Sequence, residues 1–191
     1  MIVLGSFGTL IATSILVIII MMVLGQWSYM MQTGIRMYNG ALETFKHSIS
    51  LEKTDIRVLD VTPQSNTTIY VKIKNVGSYP IPVAQFDMSE VFVIGTLVNH
   101  TCSTVIRVPF DQFSIRDEGW RILSVSTNGV VGEVLNPINL PYVSSGKWDS
   151  MEELFIIISL SNEHALNLTY PVNIVFVTPN GVSTAEGGFW G

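Results

Sequence analysis

The sequence predicts an α+β protein, mainly β, in which a long N-terminal transmembrane helix precedes an antiparallel Ig-like β-sandwich. Residues 1–35 contain no Asp, Glu, Lys or Arg, although the 191-residue chain has ten basic and fifteen acidic side chains. After Leu51 the apolar residues change from helical spacing to alternation. Clusters of Gly, Pro, Asn and Ser then separate short apolar runs. We therefore expect a transmembrane helix at residues 1–25, an amphipathic helical stalk at 26–50 and an extracytoplasmic β-sandwich domain at 51–191.

The transmembrane helix is predicted by residues 2–24, which read IVLGSFGTLIATSILVIIIMMVL and carry no charge. As a helix this run spans about 34 Å, enough to cross a bilayer. A cleavable signal would have a basic start and a shorter apolar stretch, so we expect the segment to be retained. Trp27 and Tyr29 follow directly, and we predict that they lie at the membrane interface because such rings settle among the headgroups.

The stalk is predicted by apolar residues that recur at three-and-four spacing beyond the span. Gly34 and Gly40 each weaken a helix by up to about 1 kcal/mol relative to Ala and would allow a kink, yet the spacing extends the helix to about Ser50. Two partners for the stripe stay open: the chain's own β-domain, or the helices of identical or related chains. The stripe consists of Met30, Met31, Ile35, Tyr38, Leu42, Phe45 and Ile49.

Seven short apolar or alternating runs predict strands, which suits a sandwich of seven or eight strands. They are residues 55–61, 68–74, 91–98, 104–108, 121–126, 153–160 and 172–177. Residues 154–160 are apolar on both faces and predict a central strand, whereas 91–98 could form an edge that pairs with a partner strand. Breakers are expected between strands rather than in them, at 75–77, 80–82, 128–129, 136–137, 145–146 and 179–181.

Three Asn-x-Ser/Thr sequons mark candidate N-glycosylation sites at Asn66, Asn99 and Asn167. All three fall at predicted strand ends or turns. Arg36, beyond the span, nominally argues for a cytoplasmic β-domain. The sequons and the aromatic residues at the helix exit favour the opposite orientation, so we expect a single-pass cell-membrane protein with its C-terminal domain outside.

No catalytic, cofactor-binding or metal-binding constellation is predicted, and we expect the protein not to be an enzyme. A net charge of −5 without a basic cluster disfavours nucleic acid as a partner. Cys102 is the single cysteine, and we expect it to be a small buried residue in a strand, as free cysteines usually are. A copper site does not fit, because the next His after Cys102 is 62 positions away. Four aromatic residues are expected in the core, the alternative being a ligand pocket: Phe110, Phe113, Trp120 and Trp148.

Several segments carry a resemblance to a known family: VKIKNVGS at 71–78, DMSEVFVIG at 87–95, GKW at 146–148, EEL at 152–154 and VTPNGV at 177–182. Together with the apolar N-terminal helix, the β-domain and the sequons, they resemble the archaeal type IV pilin superfamily. Within it they look most like the archaellum accessory proteins F and G. The chain departs from the superfamily in having no basic prepilin cleavage motif before the apolar run and no Glu near its start.

The resemblance implies a non-catalytic stator or cap-like role. In that family, accessory F binds the surface layer through its β-sandwich and accessory G forms a short filament. The implied partners are the membrane, identical or related pilin-like subunits through the N-terminal helix, and surface-layer protein. Two other functions remain open from the sequence: a filament-forming archaeal pilin or flagellin subunit, and a generic membrane-tethered extracellular binding domain.

Overall fold

A computed structural model describes residues 3–127, 130–131 and 146–188. The first element, α1, is a helix of 51 residues at Val3–Lys53. It passes through Gly34 and Gly40 and ends three residues beyond the expected Ser50, since no proline occurs before Pro63. The chain divides into two compact units, Met1–Ser48 and Ile49–Gly191. We call the second unit the β-domain, and the last turn of α1 belongs to it.

The β-domain contains eleven strands within the described residues, all paired antiparallel. Two sheets form the sandwich, with strand orders β1-β2-β9-β6-β7 and β11-β10-β4-β5, and β3 pairs with β8 beside them. Short 3₁₀ helices lie at Val83–Met88 and Asn162–His164. The strands are β1 Ile56–Ser65, β2 Thr68–Asn75, β3 Ile81–Pro82, β4 Glu90–Thr96, β5 Ser103–Val108, β6 Gly119–Thr127, β7 Val130–Val131, β8 Lys147–Trp148, β9 Glu152–Ser159, β10 Val172–Val177 and β11 Ser183–Gly188.

The core fills the space between the two sheets because alternate residues of each strand point inward. In β2, for example, Ile69, Val71 and Ile73 are buried, as their alternation predicts. A group of aromatic rings packs together in the core with centroid separations of 4.6 to 6.3 Å, typical of favourable tilted and edge-to-face packing. Its members are Phe86, Phe110, Trp120, Trp148 and Phe176.

The predicted central strand is confirmed, since β9 lies between β2 and β6 in the five-stranded sheet. Its inward residues, including Leu154 and Ile156, are fully buried. Ile157 points to the other face and is nevertheless buried. Tyr70 and Arg121 lie in register on either side of it, and side chains of this length can cover an apolar neighbour while their polar ends stay in water.

The α+β sandwich fold is confirmed, and each of the seven predicted strands is present. The expectation that 91–98 forms an edge is wrong, because β4 pairs with β10 on one side and β5 on the other. Breakers are not confined to turns: Pro82 lies in β3, at a two-residue pairing, and Asn75 ends β2. Of the predicted turns, 128–129, 136–137 and residue 145 lie outside the described residues.

Candidate functional site

Most of α1 is an apolar helix whose side chains are exposed. All residues from 8 to 32 are exposed, and Ile18, near the middle of the apolar run, has 56% of its surface accessible. Within the described part of the chain, this helix is the one that is long and apolar enough to cross a membrane, by length and composition. An exposed, uncharged surface of this length suits a lipid environment or the apolar surfaces of other helices.

Hydroxyl groups within the apolar run are bonded to the helix itself. Thr13 Oγ1 donates to the Thr9 carbonyl at 3.0 Å, and Ser14 Oγ donates to the Leu10 carbonyl at 2.8 Å. A polar group in hydrocarbon costs free energy unless it is hydrogen-bonded, and these bonds satisfy the donors without a neighbouring chain. The two residues therefore fit a membrane span.

Trp27 and Tyr29, the residues predicted at the membrane interface, lie on the exposed surface of α1. Their exposed fractions are 71% and 72%. Two positions along a helix correspond to a rotation of about 200°, so the rings emerge on nearly opposite sides. That arrangement suits the predicted membrane-interface position, which stays a prediction, because aromatic rings favour the headgroup level.

The apolar stripe continues beyond the aromatic residues. At about 100° per residue, six of its seven members fall within an arc of about 80°, and Met30 lies outside this arc. Gln32 and Asn39 lie beside the stripe, at about 100° and 80° from its centre, whereas Thr33 and Arg36 belong to the opposite side. We call the six residues the stalk stripe: Met31, Ile35, Tyr38, Leu42, Phe45 and Ile49. The first five are exposed and Ile49 is half-buried.

The last turn of α1 is fixed within the β-domain by a polar cluster around Asn180. Asn180 Nδ2 donates to Thr54 Oγ1 at 2.7 Å and to the Ser50 carbonyl at 3.2 Å. Thr54 Oγ1 donates to the same Ser50 carbonyl, and Thr178 Oγ1 donates to Asn180 Oδ1 at 2.6 Å. The Ser50 carbonyl also accepts from the Thr54 N–H at 3.1 Å, so the loop between β10 and β11 adds a further donor at the helix end.

A second contact fixes the segment immediately after the helix. The Lys53 carbonyl accepts hydrogen bonds from the backbone N–H groups of Ser78 and Tyr79 at 2.9 and 3.1 Å. The Asp55 carbonyl accepts from the N–H groups of Val76 and Gly77 at 2.9 and 2.8 Å. These four bonds hold the β2–β3 loop against the helix end. The Asn180 and Gly77 contacts were not predicted, although both loops were recognised as turns, because residues up to 130 positions apart form them.

The three sequons lie together at the end of the β-domain opposite the helix end. The Leu166 N–H donates to the Asn66 carbonyl at 2.7 Å, and the Asn167 N–H donates to the Thr96 carbonyl at 2.7 Å. Asn99 lies in the loop that follows β4. β1 leads from the helix end at Ile56 to this opposite end at Ser65, and β2 returns. We call this the sequon end.

Asn167 has a side-chain geometry that suits modification. Its Oδ1 accepts hydrogen bonds from the Thr169 backbone N–H at 3.2 Å and from Thr169 Oγ1 at 2.8 Å. The amide nitrogen, to which a glycan would be joined, makes no hydrogen bond to any described residue. Asn66 and Asn99 are exposed and Asn167 is half-buried.

Neighbouring glutamates at the start of β9 have opposite electrostatic environments. A hydrogen bond from Lys72, with Nζ and Oε2 2.6 Å apart, lowers the pKa of Glu153 despite partial burial. Burial raises the pKa of Glu152, although the Asp149 N–H donates to its carboxylate at 2.8 Å. Thr127 Oγ1 also donates to Glu152 at 3.4 Å, and both carboxylates therefore stabilise contacts between neighbouring strands.

Two sequence expectations about single residues are wrong. Cys102 is exposed, because it lies in the loop before β5 rather than in the strand. Phe113 is 62% exposed and lies outside the core, in the turn that follows β5. Trp120 and Trp148 are fully buried, as expected for core residues, and Phe110 is half-buried against Trp120.

These features define a class of protein in which one long helix, apolar and exposed over residues 8–32, precedes a two-sheet antiparallel β-domain. No family model matches the chain, and no curated protein matches it. The archaeal flagellum of Methanospirillum hungatei strain JF1 contains a similar chain, with a TM-score of 0.54 and 9% identity over 93% of this chain and 90% of that one. The resemblance to archaellum proteins is thus confirmed at the level of the fold.

Two structures from Sulfolobus acidocaldarius are also similar. The archaellum periplasmic stator protein FlaG has a TM-score of 0.47 and 20% identity, over 71% of this chain and 99% of that one. The stator protein complex FlaF and FlaG has a TM-score of 0.46 and 20% identity, over 70% of this chain and 87% of that one.

Proposed function

We propose that this protein is a non-catalytic structural component of the archaellum, held in the cell membrane by α1 with its β-domain outside. One observation carries the proposal. An uncharged, exposed helix surface runs from the predicted span into the stalk stripe, so that a single helix can be anchored in lipid and still offer an apolar surface beyond it. The fold shared with the archaeal flagellum chain supports this assignment.

The stalk stripe is proposed to pack against the helices of identical or related subunits. Its side chains are too apolar to be favoured in water, and an arc of about 80° is narrower than the roughly 100° stripe of a helix on a globular core, as in the seam between bundled helices. When only the stalk stripe is buried, the remaining surface of the helix stays in water, where Arg36 and Asn39 are hydrated.

Cysteine crosslinking of the full-length protein tests this packing. In a Cys102→Ser background, Met31→Cys lies on the stalk stripe and Thr33→Cys, about 200° around the helix from it, lies on the opposite side. We expect membrane-embedded Met31→Cys to form disulfide-linked dimers, or adducts with a related subunit, under mild oxidation. Equal crosslinking of Thr33→Cys would contradict a stripe-specific contact.

Within the archaellum we propose a stator or anchor that binds surface-layer protein. The absence of charge in residues 8–35 supports a helix that stays in the bilayer. Full-length protein is then expected in the membrane fraction after filaments have been sheared off, and surface-layer protein is expected to co-purify with it. Recovery of the protein only with the sheared filaments would contradict the anchor assignment.

The second candidate is a filament-forming subunit. The likeness to the archaeal flagellum chain covers both α1 and the β-domain, since it spans 93% of this chain. A filament subunit must withdraw its helix from the bilayer on assembly. Electron microscopy of the purified full-length protein would then show helical rods with the N-terminal helices at the axis.

We propose that Asn66, Asn99 and Asn167 carry N-linked glycans. The exposure of Asn66 and Asn99 supports this, as does the Asn167 amide nitrogen, which makes no hydrogen bond to any described residue. Mass spectrometry of the membrane-extracted protein should find added glycan mass at these residues. Unmodified peptides at all three would contradict both the modification and the orientation that depends on it.

A further inference from the structure

The outward side of the four-stranded sheet is an apolar surface. Val91 and Val93 of β4 and Ile174 of β10 point into the core and are fully buried, so the alternate residues point outward. Those outward residues lie in register across neighbouring strands, and Val105 on β5 is 62% exposed. We call this surface the β4 face. Its apolar residues are Phe92, Ile94, Val105, Val175, Val177 and Ala185.

The β4 face is electrically neutral. Two charged side chains, Glu90 and Arg107, occupy outward positions of its described strands, and they pair with each other at 2.7 Å. The outward side of the five-stranded sheet differs: four cations, Arg57, Lys72, Lys74 and Arg121, stand there against the carboxylates Asp60 and Glu153. The two sides of the sandwich therefore have different preferences for partners.

We propose that the β4 face is the contact between two copies of this chain, related by a two-fold axis. A two-fold interface brings one surface onto itself, so it needs a surface without excess charge. The β4 face meets this requirement because its charges cancel within one copy. The cationic side of the other sheet would place like charges opposite each other in such a pair.

The size of the β4 face also favours a second copy over a diffusible partner. Four strands and six residues give a surface of about 20 by 20 Å, or about 400 Å². A stable complex between free proteins buries about 800 Å² on each partner. A face of this size needs partners that are already held together, and the inference rests here on the proposed membrane anchoring and helix packing, which raise the effective concentration of neighbouring β-domains.

Crosslinking of full-length protein in membranes tests the proposal, in a Cys102→Ser background with a short bismaleimide. Val175→Cys places the thiol on the β4 face. The control Leu59→Cys places it on edge strand β1 of the other sheet, where Leu59 is 46% exposed. We expect homodimer, identified by mass spectrometry, from Val175→Cys and much less from Leu59→Cys. Emission from the buried Trp120 and Trp148 verifies folding of each variant.

A charge placed at the edge of the β4 face provides a second test of the proposal. Val105→Lys should lower the dimer yield of Val175→Cys about tenfold, while Leu59→Lys leaves it unchanged. Equal yields from Val175→Cys and Leu59→Cys, insensitivity to Val105→Lys, or adducts only with a different protein would each overturn the proposal. If Met31→Cys still crosslinks in the same membranes, the proposed function survives and only the β4-face contact fails.

Discussion

The β2–β3 loop approaches the end of α1 so closely that Gly77 has no room for a side chain. A Cβ at this position would lie 2.4 Å from the Asp55 nitrogen and 2.4 Å from the Lys53 carbonyl oxygen, whereas ordinary contacts are 3.4–4 Å. Both atoms are backbone, so the loop must move by about 1 Å, which strains the four hydrogen bonds to Lys53 and Asp55. At about 1 kcal/mol for each bond, we expect Gly77→Ala to destabilise the β-domain by about 3 kcal/mol.

Thermal unfolding of the full-length protein in detergent measures this loss. Fluorescence of the buried Trp120 and Trp148 reports melting of the sandwich core. For a cooperative unit of about 140 residues, a loss of about 3 kcal/mol corresponds to a decrease of about 10 °C in Tm. The Ile49–Gly191 unit is of this size.

Gly187→Ala and Gly40→Ala are matched controls. The Cβ at Gly187 would meet the Asn173 side chain, which can rotate away, and the Cβ at Gly40 would have nothing within 4 Å. Both variants should melt within a few degrees of the wild type. A Tm for Gly77→Ala that matches these controls would refute the argument that the loop is packed rigidly against the helix end.

Three further variants test separate features of the chain. Asn180→Ala removes the two donors to Thr54 and Ser50 and should lower the free energy of unfolding by about 2 kcal/mol in a denaturant titration; an unchanged midpoint would contradict the assigned cluster. Ile18→Lys should move part of the protein from the membrane to the soluble fraction, since a central lysine costs about 3 kcal/mol on insertion; undiminished membrane retention would argue against the span. Glu153→Gln should cost stability at neutral pH, because the pKa of Glu153 lies below the ordinary value of 4.5. That stabilisation is present above 4.5 and is lost as the pH falls through the lowered pKa, so the wild-type and variant melting curves should converge in acid and stay apart at pH 7.

The strands could be predicted from the sequence wherever one chemical pattern dominates. Alternation in 68–74 predicts both β2 and its inward face, and the two-sided apolar run at 154–160 predicts a central strand. Short pairings such as β3 and β8 leave no such pattern, because two residues cannot show a period. The position of β4 was predicted incorrectly, since strand order depends on contacts between distant residues and not on local composition.

The helix of the candidate site could be predicted from the sequence, whereas the contacts that fix its last turn within the β-domain could not. The uncharged run and the spacing of Ile35, Tyr38 and Leu42 predict an anchor with a stripe beyond it. By contrast, Asn180 reads as an ordinary turn residue, and its contact with Thr54 becomes visible only when the β10–β11 loop is placed beside the helix end. The charge balance of the β4 face likewise depends on the strand register.

The central claim is that α1 crosses the membrane and leaves the β-domain outside. Cys102 is the single cysteine of the chain and is exposed, so it reports the location of the β-domain directly. A membrane-impermeant maleimide added to intact cells should label Cys102 in the wild type, whereas Ile18→Cys in a Cys102→Ser background should react only after detergent is added. Labelling of Cys102 that requires permeabilised cells would contradict the account.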